Sequence, residues 1–163
     1  MSSLAEAATN LAKAYEWAAY KLLDDFDFSN TKKTKSGMVH LATLGPIVGA
    51  VVLTSLSIEV ALKALLLKHH GKALRTHDHV KLFNALPTDV RRNLEQRYAR
   101  IAKTRNKSSG GNQTVEIAEV FAATKDVFTS WRYAYEPTEL ARNIDISTAA
   151  CASRVISDEA GAI

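Results

Sequence analysis

Cysteine is almost absent from this sequence, since Cys151 is the only one in 163 residues. A single cysteine excludes a disulfide within the chain and suits a reducing compartment. Cys151 stands among alanines in an apolar, helix-periodic segment, so we interpret it as a small buried packing residue and not as a nucleophile. No basic stretch leads into an apolar one at the N-terminus, so we predict no signal peptide and expect a cytoplasmic protein.

Proline and glycine are also scarce, with three and seven residues. Residues of high helix propensity dominate instead, and no segment has a convincing strand pattern. The hydrophobic share of 47% and the charged share of 23% are ordinary for a globular protein, and the length suits one core. We therefore predict a single helical domain over residues 1–163. Polar, turn-forming residues predict mobile loops at about 27–37 and 107–113.

Charged residues are missing from residues 38–58, which contain no Asp, Glu, Lys or Arg. The stretch is just long enough to cross a bilayer and includes two glycines at the spacing of packed membrane helices, Gly45 and Gly49. Several Ser, Thr and His residues interrupt it, and Glu59 and Lys63 continue the same helical pattern. We favour a buried central helix over a membrane span. A membrane-associated helical protein stays open as a lesser alternative.

Apolar periodicity and end signals predict the individual helices. The first should bury the stripe Leu4, Ala7, Ala8, Leu11, Tyr15, Ala18, Leu22 and Leu23. The second should end at Gly71, a residue suited to a left-handed cap. Thr76 or Asp78 should cap the third, and Thr114 the fifth. The predicted spans are 4–26, 41 or 46 to 70, 79–85, 89–105, 115–136 and about 147–158.

A set of motifs in order along the chain resembles the HEPN superfamily. The long second helix reads Glu59-x-x-x-Lys63-Ala-Leu-Leu and is followed by Gly71 and then by His77-Asp78. A later segment contains Trp131, Arg132, Tyr133 and Glu136, similar to the Arg-Tyr-x-x-Glu ending of several branches. The resemblance implies an all-α, antiparallel bundle of four long helices with one or two short ones. It also implies a homodimer in a prokaryotic defence or toxin–antitoxin system.

Ribonucleases of that superfamily resemble one another in an Arg and a His separated by four to six residues on one helix. This sequence lacks that pair. The only arginine that precedes a histidine is Arg75, and His77 and His79 follow it after one and three intervening residues. The resemblance therefore implies the fold without implying the usual catalytic motif.

The turn that follows the second helix, after Gly71, still contains side chains that could catalyse a reaction. A displaced, metal-independent ribonuclease site would use Arg75, His77 and His79, because histidine is the natural base near neutral pH. The alternative is structural, with His77 and Asp78 as turn and cap residues. A zinc site from His70, His77 and His79 matches no established spacing, so we expect neither a metal nor a cofactor.

The predicted fourth helix is strongly basic. Seven positive residues lie between positions 90 and 107 and only Glu95 opposes them. Such a helix could follow a phosphate backbone, or it could be a solvated outer face. The candidate nucleic-acid-binding residues are Arg91, Arg92, Arg97, Arg100, Lys103 and Arg105.

The aromatic segment around Trp131 is typical of a core or a subunit interface. If Glu59 and Arg132 both face inward, they should form a pair, since a lone buried charge is prohibitive. Two functions follow from all these features. The first is a binding or interaction module for RNA, for a nucleotide, or for a partner such as a cognate nucleotidyltransferase or another defence protein. The second is an endoribonuclease with the displaced site.

Overall fold

The computed structural model describes residues 3–25, 41–109, 115–125, 127 and 145–162, with side chains omitted at 41–44 and 105–109. Within these residues the chain is helical and has no strand, which confirms the predicted all-α class. The helices are α1 (Leu4–Asp24), α2 (Leu41–His70), α3 (His79–Asn84), α4 (Thr88–Ser109), α5 (Ile117–Thr124) and α6 (Ile146–Ala162).

The helix ends follow from local chemistry. Ser3 caps α1 by accepting from the backbone N–H of Glu6, and Gly71 ends α2 with a φ of +70°. Asp78 caps α3, one of the two residues predicted for that role. The predicted cap at Thr114 is wrong, because α5 begins later with Glu116 as its N-cap. The backbone N–H of Glu116 donates to the Glu119 carboxylate, which satisfies a donor at the helix start.

The predicted loops fall mostly outside the described residues. That is the case for all of 27–37 and for 110–113. The boundary of the second loop is corrected, however, because α4 continues to Ser109. Of the helix predicted over 115–136, residues 126 and 128–136 also lie outside the described part of the chain.

Helix α2 is the centre of the bundle. It packs against α1, α3 and α6, and Ile58, Leu62 and Leu65 have no exposed surface. Among the described residues, the part of α2 at Gly45–His70 is the only helix long and apolar enough to cross a membrane, and 67% of its most apolar window is buried inside the protein. A core helix of a globular protein has this same pattern, so the indication of a span is weak. Cys151 is partly buried against the same core.

Helix α1 buries a different face from the one its periodicity predicted. The residues packed inward are small: Ala5, Thr9, Ala12 and Ala19. Small side chains let α1 lie close to its neighbours, so that the Ser57 hydroxyl on α2 donates to the carbonyl of Ala12 at 2.8 Å. The larger residues Leu4, Leu11 and Leu22 of the predicted stripe are 72%, 45% and 36% exposed. α1 therefore has two apolar faces. The bundle buries the one with smaller residues, whereas of the other face Ala8 is partly buried against the core and Leu4, Leu11 and Leu22 are exposed.

Candidate functional site

The turn between α2 and α3 is built by hydrogen bonds of its own side chains. The Thr76 hydroxyl accepts from the backbone N–H of Asp78 at 3.1 Å. The Asp78 carboxylate accepts from the N–H groups of Val80 and Lys81 at 3.0 and 3.2 Å. Burial pushes the pKa of Asp78 up, but its hydrogen bonds and the charges of Lys81 and Lys125 outweigh that effect and leave it below its ordinary value. His77 lies within this hydrogen-bonded turn.

His77 lies against a buried carboxylate on α2. Its Nδ1 is 3.0 Å from both carboxylate oxygens of Glu59, and the Nζ of Lys63 is 2.7 Å from Oε1. The Glu59 side chain is 8% exposed, Lys63 is 24% exposed and the His77 side chain is 70% exposed. The three residues form one cluster where the α2–α3 turn meets α2, which we call the Glu59 cluster.

The electrostatics of the Glu59 cluster favour an ionised carboxylate. Burial raises the pKa of Glu59, but the hydrogen bonds and charges of Lys63 and His77 outweigh it, so the pKa lies below its ordinary value. A carboxylate that faces Nδ1 selects the tautomer in which Nδ1 carries the proton. Nε2 is then the basic nitrogen, on a ring that is largely exposed. This is the arrangement in which a carboxylate orients a histidine base.

The two histidines predicted to act together have different environments. His79 is 1% exposed, and its Nδ1 is 2.9 Å from the Thr124 hydroxyl. That hydroxyl donates its own proton to the carbonyl of Val120 at 2.8 Å, so it accepts from His79. His79 thereby ties α3 to α5 inside the core, whereas Arg75 is exposed on the turn. Of the predicted catalytic set, only His77 and Arg75 lie at the surface.

The described residues do not form the zinc site considered above. No group of three or more His, Cys, Asp or Glu residues that could hold a metal ion occurs in the described part of the chain. His70, one residue of the zinc alternative, instead has its Nε2 3.2 Å from the carbonyl of Ala85. His79 is directed into the core, as described above.

The basic helix α4 divides its cations between two sides. The residues Arg92, Gln96, Arg100 and Lys103 are all exposed and follow one another at steps of four, four and three, which places them on one face. We call this set the basic face. The opposite side is apolar and buried through Val90, Leu94, Tyr98 and Ala102. Glu95, three residues after Arg92, lies at the edge of the basic face, where it lines a cleft with Tyr98 and Glu116.

The remaining candidate cations of α4 have other roles or lie outside the description. Arg97 forms an ion pair with Glu159 of α6, and the Asn93 amide donates to the same carboxylate at 2.9 Å. Arg91 is half-buried and donates to the Thr88 hydroxyl at 3.3 Å. The side chain of Arg105 is outside the described residues. Arg97 therefore joins two helices, and three of the six predicted cations share the solvent face.

The later aromatic motif lies outside the described residues, so Trp131, Arg132, Tyr133 and Glu136 have no reported position. The predicted Glu59–Arg132 pair stays a prediction for the same reason. Glu59 already has two described partners, one of which, Lys63, is four residues along the same helix. The contact with His77 was missed, although a carboxylate on an apolar helix signals that some partner must approach it.

Comparison with protein families gives one result. The family model of the HEPN domain matches residues 37–136, more than half of the chain. The match includes the α2 helix, the α2–α3 turn and α4, and so contains the Glu59 cluster and the basic face. Comparison with curated proteins and with solved structures gives no significant match.

Proposed function

The chain belongs to the HEPN domain family, and on that premise we propose that it is a nucleic-acid- or nucleotide-associated binding protein. The proposal places it in the cytoplasm, in a prokaryotic defence or toxin–antitoxin system. RNA is the ligand that we assign to the basic face of α4. The observation that carries the assignment is the alignment of Arg92, Arg100 and Lys103 on one exposed helix face.

The geometry of the basic face suits a phosphate backbone. Its residues extend over about 17 Å of helix, at a rise of about 1.5 Å per residue. Exposed cations at such intervals can meet successive phosphates of one strand, and they release counterions when they do so. Glu95 lies at the edge of this face, in a cleft that Glu116 before α5 also lines. Contacts with the phosphate backbone of RNA give affinity without recognising the bases, so we expect these contacts to give the protein little preference for the sequence of the RNA.

RNA binding should depend on salt and on the basic face. We expect the double variant Arg92→Gln, Arg100→Gln to bind a single-stranded RNA more weakly than wild type. The negative slope of log K against log salt should become shallower by about 1.4, since each phosphate contact on a single strand contributes roughly −0.7 to it. Fluorescence anisotropy between 50 and 200 mM salt measures both quantities.

A matched control removes two exposed cations elsewhere, through Lys72→Gln and Lys81→Gln. It should keep the wild-type affinity and slope. Equal weakening in both double variants would show only a response to net charge and would reject the basic face as the binding surface. Wild-type protein that binds no RNA at 50 mM salt would reject the proposal as a whole.

A second candidate function is a metal-independent endoribonuclease at the Glu59 cluster. The contact between Glu59 and His77 Nδ1 favours it, because a histidine oriented in this way can accept a proton through Nε2. In the expected step the ribose 2′-oxygen attacks the phosphorus and gives its proton to His77. The bond to the 5′-oxygen breaks, and that oxygen takes a proton from water. Arg75 would stabilise the charge on the phosphate, whereas His79 has no role in this candidate.

Cleavage of RNA in the presence of EDTA tests this second function. Activity should be lost in His77→Ala and strongly reduced in Arg75→Ala. His69→Ala is the matched control, since His69 is an exposed histidine near the same turn and should leave cleavage unchanged. Absence of cleavage by the wild type, or equal loss in the His69 variant, would exclude the site.

As a binding protein, this chain would also interact with a protein partner. A cognate nucleotidyltransferase is the partner we propose from the family, and a gene for one beside this gene would support it.

A further inference from the structure

A cleft of about 430 Å³ lies between the middle of α4 and the start of α5. Its volume is within the range of small-molecule sites in proteins, roughly 300 to 1,000 Å³. Apolar and aromatic residues line most of it, and the carboxylates of Glu95 and Glu116 are the charged exceptions. A mainly apolar cavity with a few polar groups is the usual composition of a ligand site. We call this cavity the α4–α5 cleft.

The core of the bundle holds the apolar part of the α4–α5 cleft in place. Tyr98 and Ile117 are 2% and 3% exposed and belong to the hydrophobic core, and Val115 packs against that core. Ala99 and Ala118 are exposed and have the smallest side chains that a helix can bury against a ligand. Because these alanines do not fill the space between α4 and α5, an apolar ring can enter there and leave water.

The carboxylates give the α4–α5 cleft its chemical preference. Glu95 is exposed and makes no hydrogen bond or ion pair with any other residue that the structure describes. Its carboxylate therefore offers two acceptor oxygens and no donor. Glu116 adds a second negative charge on the other side of the cleft. These charges repel a phosphate, and they attract a ligand that carries N–H donors on an apolar ring.

The α4–α5 cleft opens along the edge of the basic face. Glu95 lies three residues after Arg92. Ala99 lies three residues after Gln96 and four before Lys103, so it too is a neighbour of that face. An RNA strand with its phosphates on the basic face therefore passes beside the cleft. The bases of a single strand can turn outward and be bound through their edges, so a base is the part of RNA that suits the cleft.

The donors of the four bases distinguish guanine from the others. Guanine presents two adjacent donors on its Watson–Crick edge, N1–H and the N2 amino group, and they match the two oxygens of one carboxylate. Adenine and cytosine each present an amino group beside a ring nitrogen whose lone pair faces the carboxylate. Uracil presents one N–H between two carbonyl oxygens, which also repel a carboxylate. Guanine is therefore the base that a carboxylate without a partner binds best.

We propose that the α4–α5 cleft is a guanine-binding subsite. The Glu95 carboxylate accepts from N1–H and from the N2 amino group, while the purine ring packs against Ala99, Val115 and Ala118. This inference rests on the proposed binding of RNA to the basic face, and it adds recognition of one base to phosphate contacts that recognise none.

A single guanine in an otherwise uniform RNA tests the subsite. An oligouridine of about ten nucleotides with one central guanosine should bind about 5-fold more tightly, or more, than the same RNA with uridine, cytidine or adenosine there. Glu95→Gln replaces one acceptor by a donor and should bring this ratio of affinities close to one. The variant also loses a negative charge and should bind every RNA somewhat more tightly, so the ratio is the readout. Fluorescence anisotropy measures it.

Asp89→Asn is the matched control, because it removes the same charge from an exposed position of α4 outside the cleft. It should keep the preference for guanosine. A wild type that binds all four RNAs equally would overturn the subsite while the basic face remained supported. Equal affinity ratios in the Glu95 and Asp89 variants would also overturn it.

A free nucleotide tests the α4–α5 cleft without the basic face. Guanosine monophosphate added to ¹⁵N-labelled protein should shift the amide signals of Ala99, Ile117 and Ala118, and uridine monophosphate should shift them far less. These shifts in a protein that binds no RNA would support the cleft and reject the basic face. An absence of shifts, or equal shifts with both nucleotides, would overturn the inference. Equal shifts with free arginine would assign the cleft to a cation and overturn it as well.

Discussion

At the scale of single residues, the buried carboxylate of Glu59 explains the most about this molecule. It lies on the most apolar helix, and it is kept ionised by Lys63 on its own helix and by His77 eighteen positions away. The Lys63 contact could be predicted from the sequence, because residues four apart on a helix are neighbours. The His77 contact could not, since it depends on how the turn after Gly71 folds back along α2. The sequence motif identifies these residues, but it does not show which of their atoms are in contact.

Ionisation of Glu59 should therefore stabilise the fold, whereas ionisation of a second glutamate, Glu16, should destabilise it. The pKa of Glu59 is lowered from 4.5, so its ionised form stabilises the fold above that pH and the contribution is lost as the pH falls below it. Glu59→Gln should be about 1.5–3 kcal/mol less stable than wild type at pH 7, which is the usual contribution of a hydrogen bond to a charged group. That difference should shrink below pH 4.5. Urea unfolding at several pH values measures it.

Glu16 on α1 is the matched comparison. Burial, followed by the charge of Asp158, raises its pKa above 4.5 despite the opposing effects of Arg154, Ser157 and Lys13. The folded state therefore disfavours its ionised form, and Glu16→Gln should be more stable than wild type at pH 7. This advantage should disappear as the pH falls towards 4.5. The same pH trend in both variants would contradict the account of the Glu59 cluster.

At the scale of the elements, the sequence predicted most of the helices, because their ends have strong local causes. The break at Gly71 and the cap at Asp78 depend only on neighbouring backbone groups. The buried face of α1 was predicted wrongly for a physical reason. That helix carries two apolar faces, and periodicity identifies both without saying which one the rest of the chain will cover. The face with small residues is the buried one, since small side chains allow α1 to approach α2 most closely.

The cap of α3 should contribute measurably to stability. Asp78→Ala removes the acceptor for the N–H groups of Val80 and Lys81, so the free energy of unfolding should fall by about 1 kcal/mol. Asp89→Ala is a suitable control, because Asp89 is an acidic residue in the first turn of α4 and its loss should cost only a few tenths of a kcal/mol. Chemical denaturation compares the two variants. Equal losses would mean that charge at a helix start, and not the cap itself, stabilises this turn.

At the scale of the whole molecule, the described helices place the two candidate sites on different elements. The basic face lies on the outer side of α4, whereas the Glu59 cluster lies where His77 of the α2–α3 turn meets α2. Sequence reasoning located the basic helix, but it could not separate the exposed cations from Arg97, which pairs with Glu159 on α6. That separation depends on tertiary packing between segments 62 residues apart. The proposed function rests on the cations that the packing leaves at the surface.

The most direct measurement is an NMR titration of ¹⁵N-labelled protein with a single-stranded RNA of about ten nucleotides, a typical length for one binding surface. Backbone assignments let each amide report whether its surroundings change. The account predicts concentration-dependent shifts concentrated on α4 around Arg92, Gln96, Arg100 and Lys103, and their loss at high salt. Shifts confined to the α2–α3 turn, or no shifts at low salt, would contradict it.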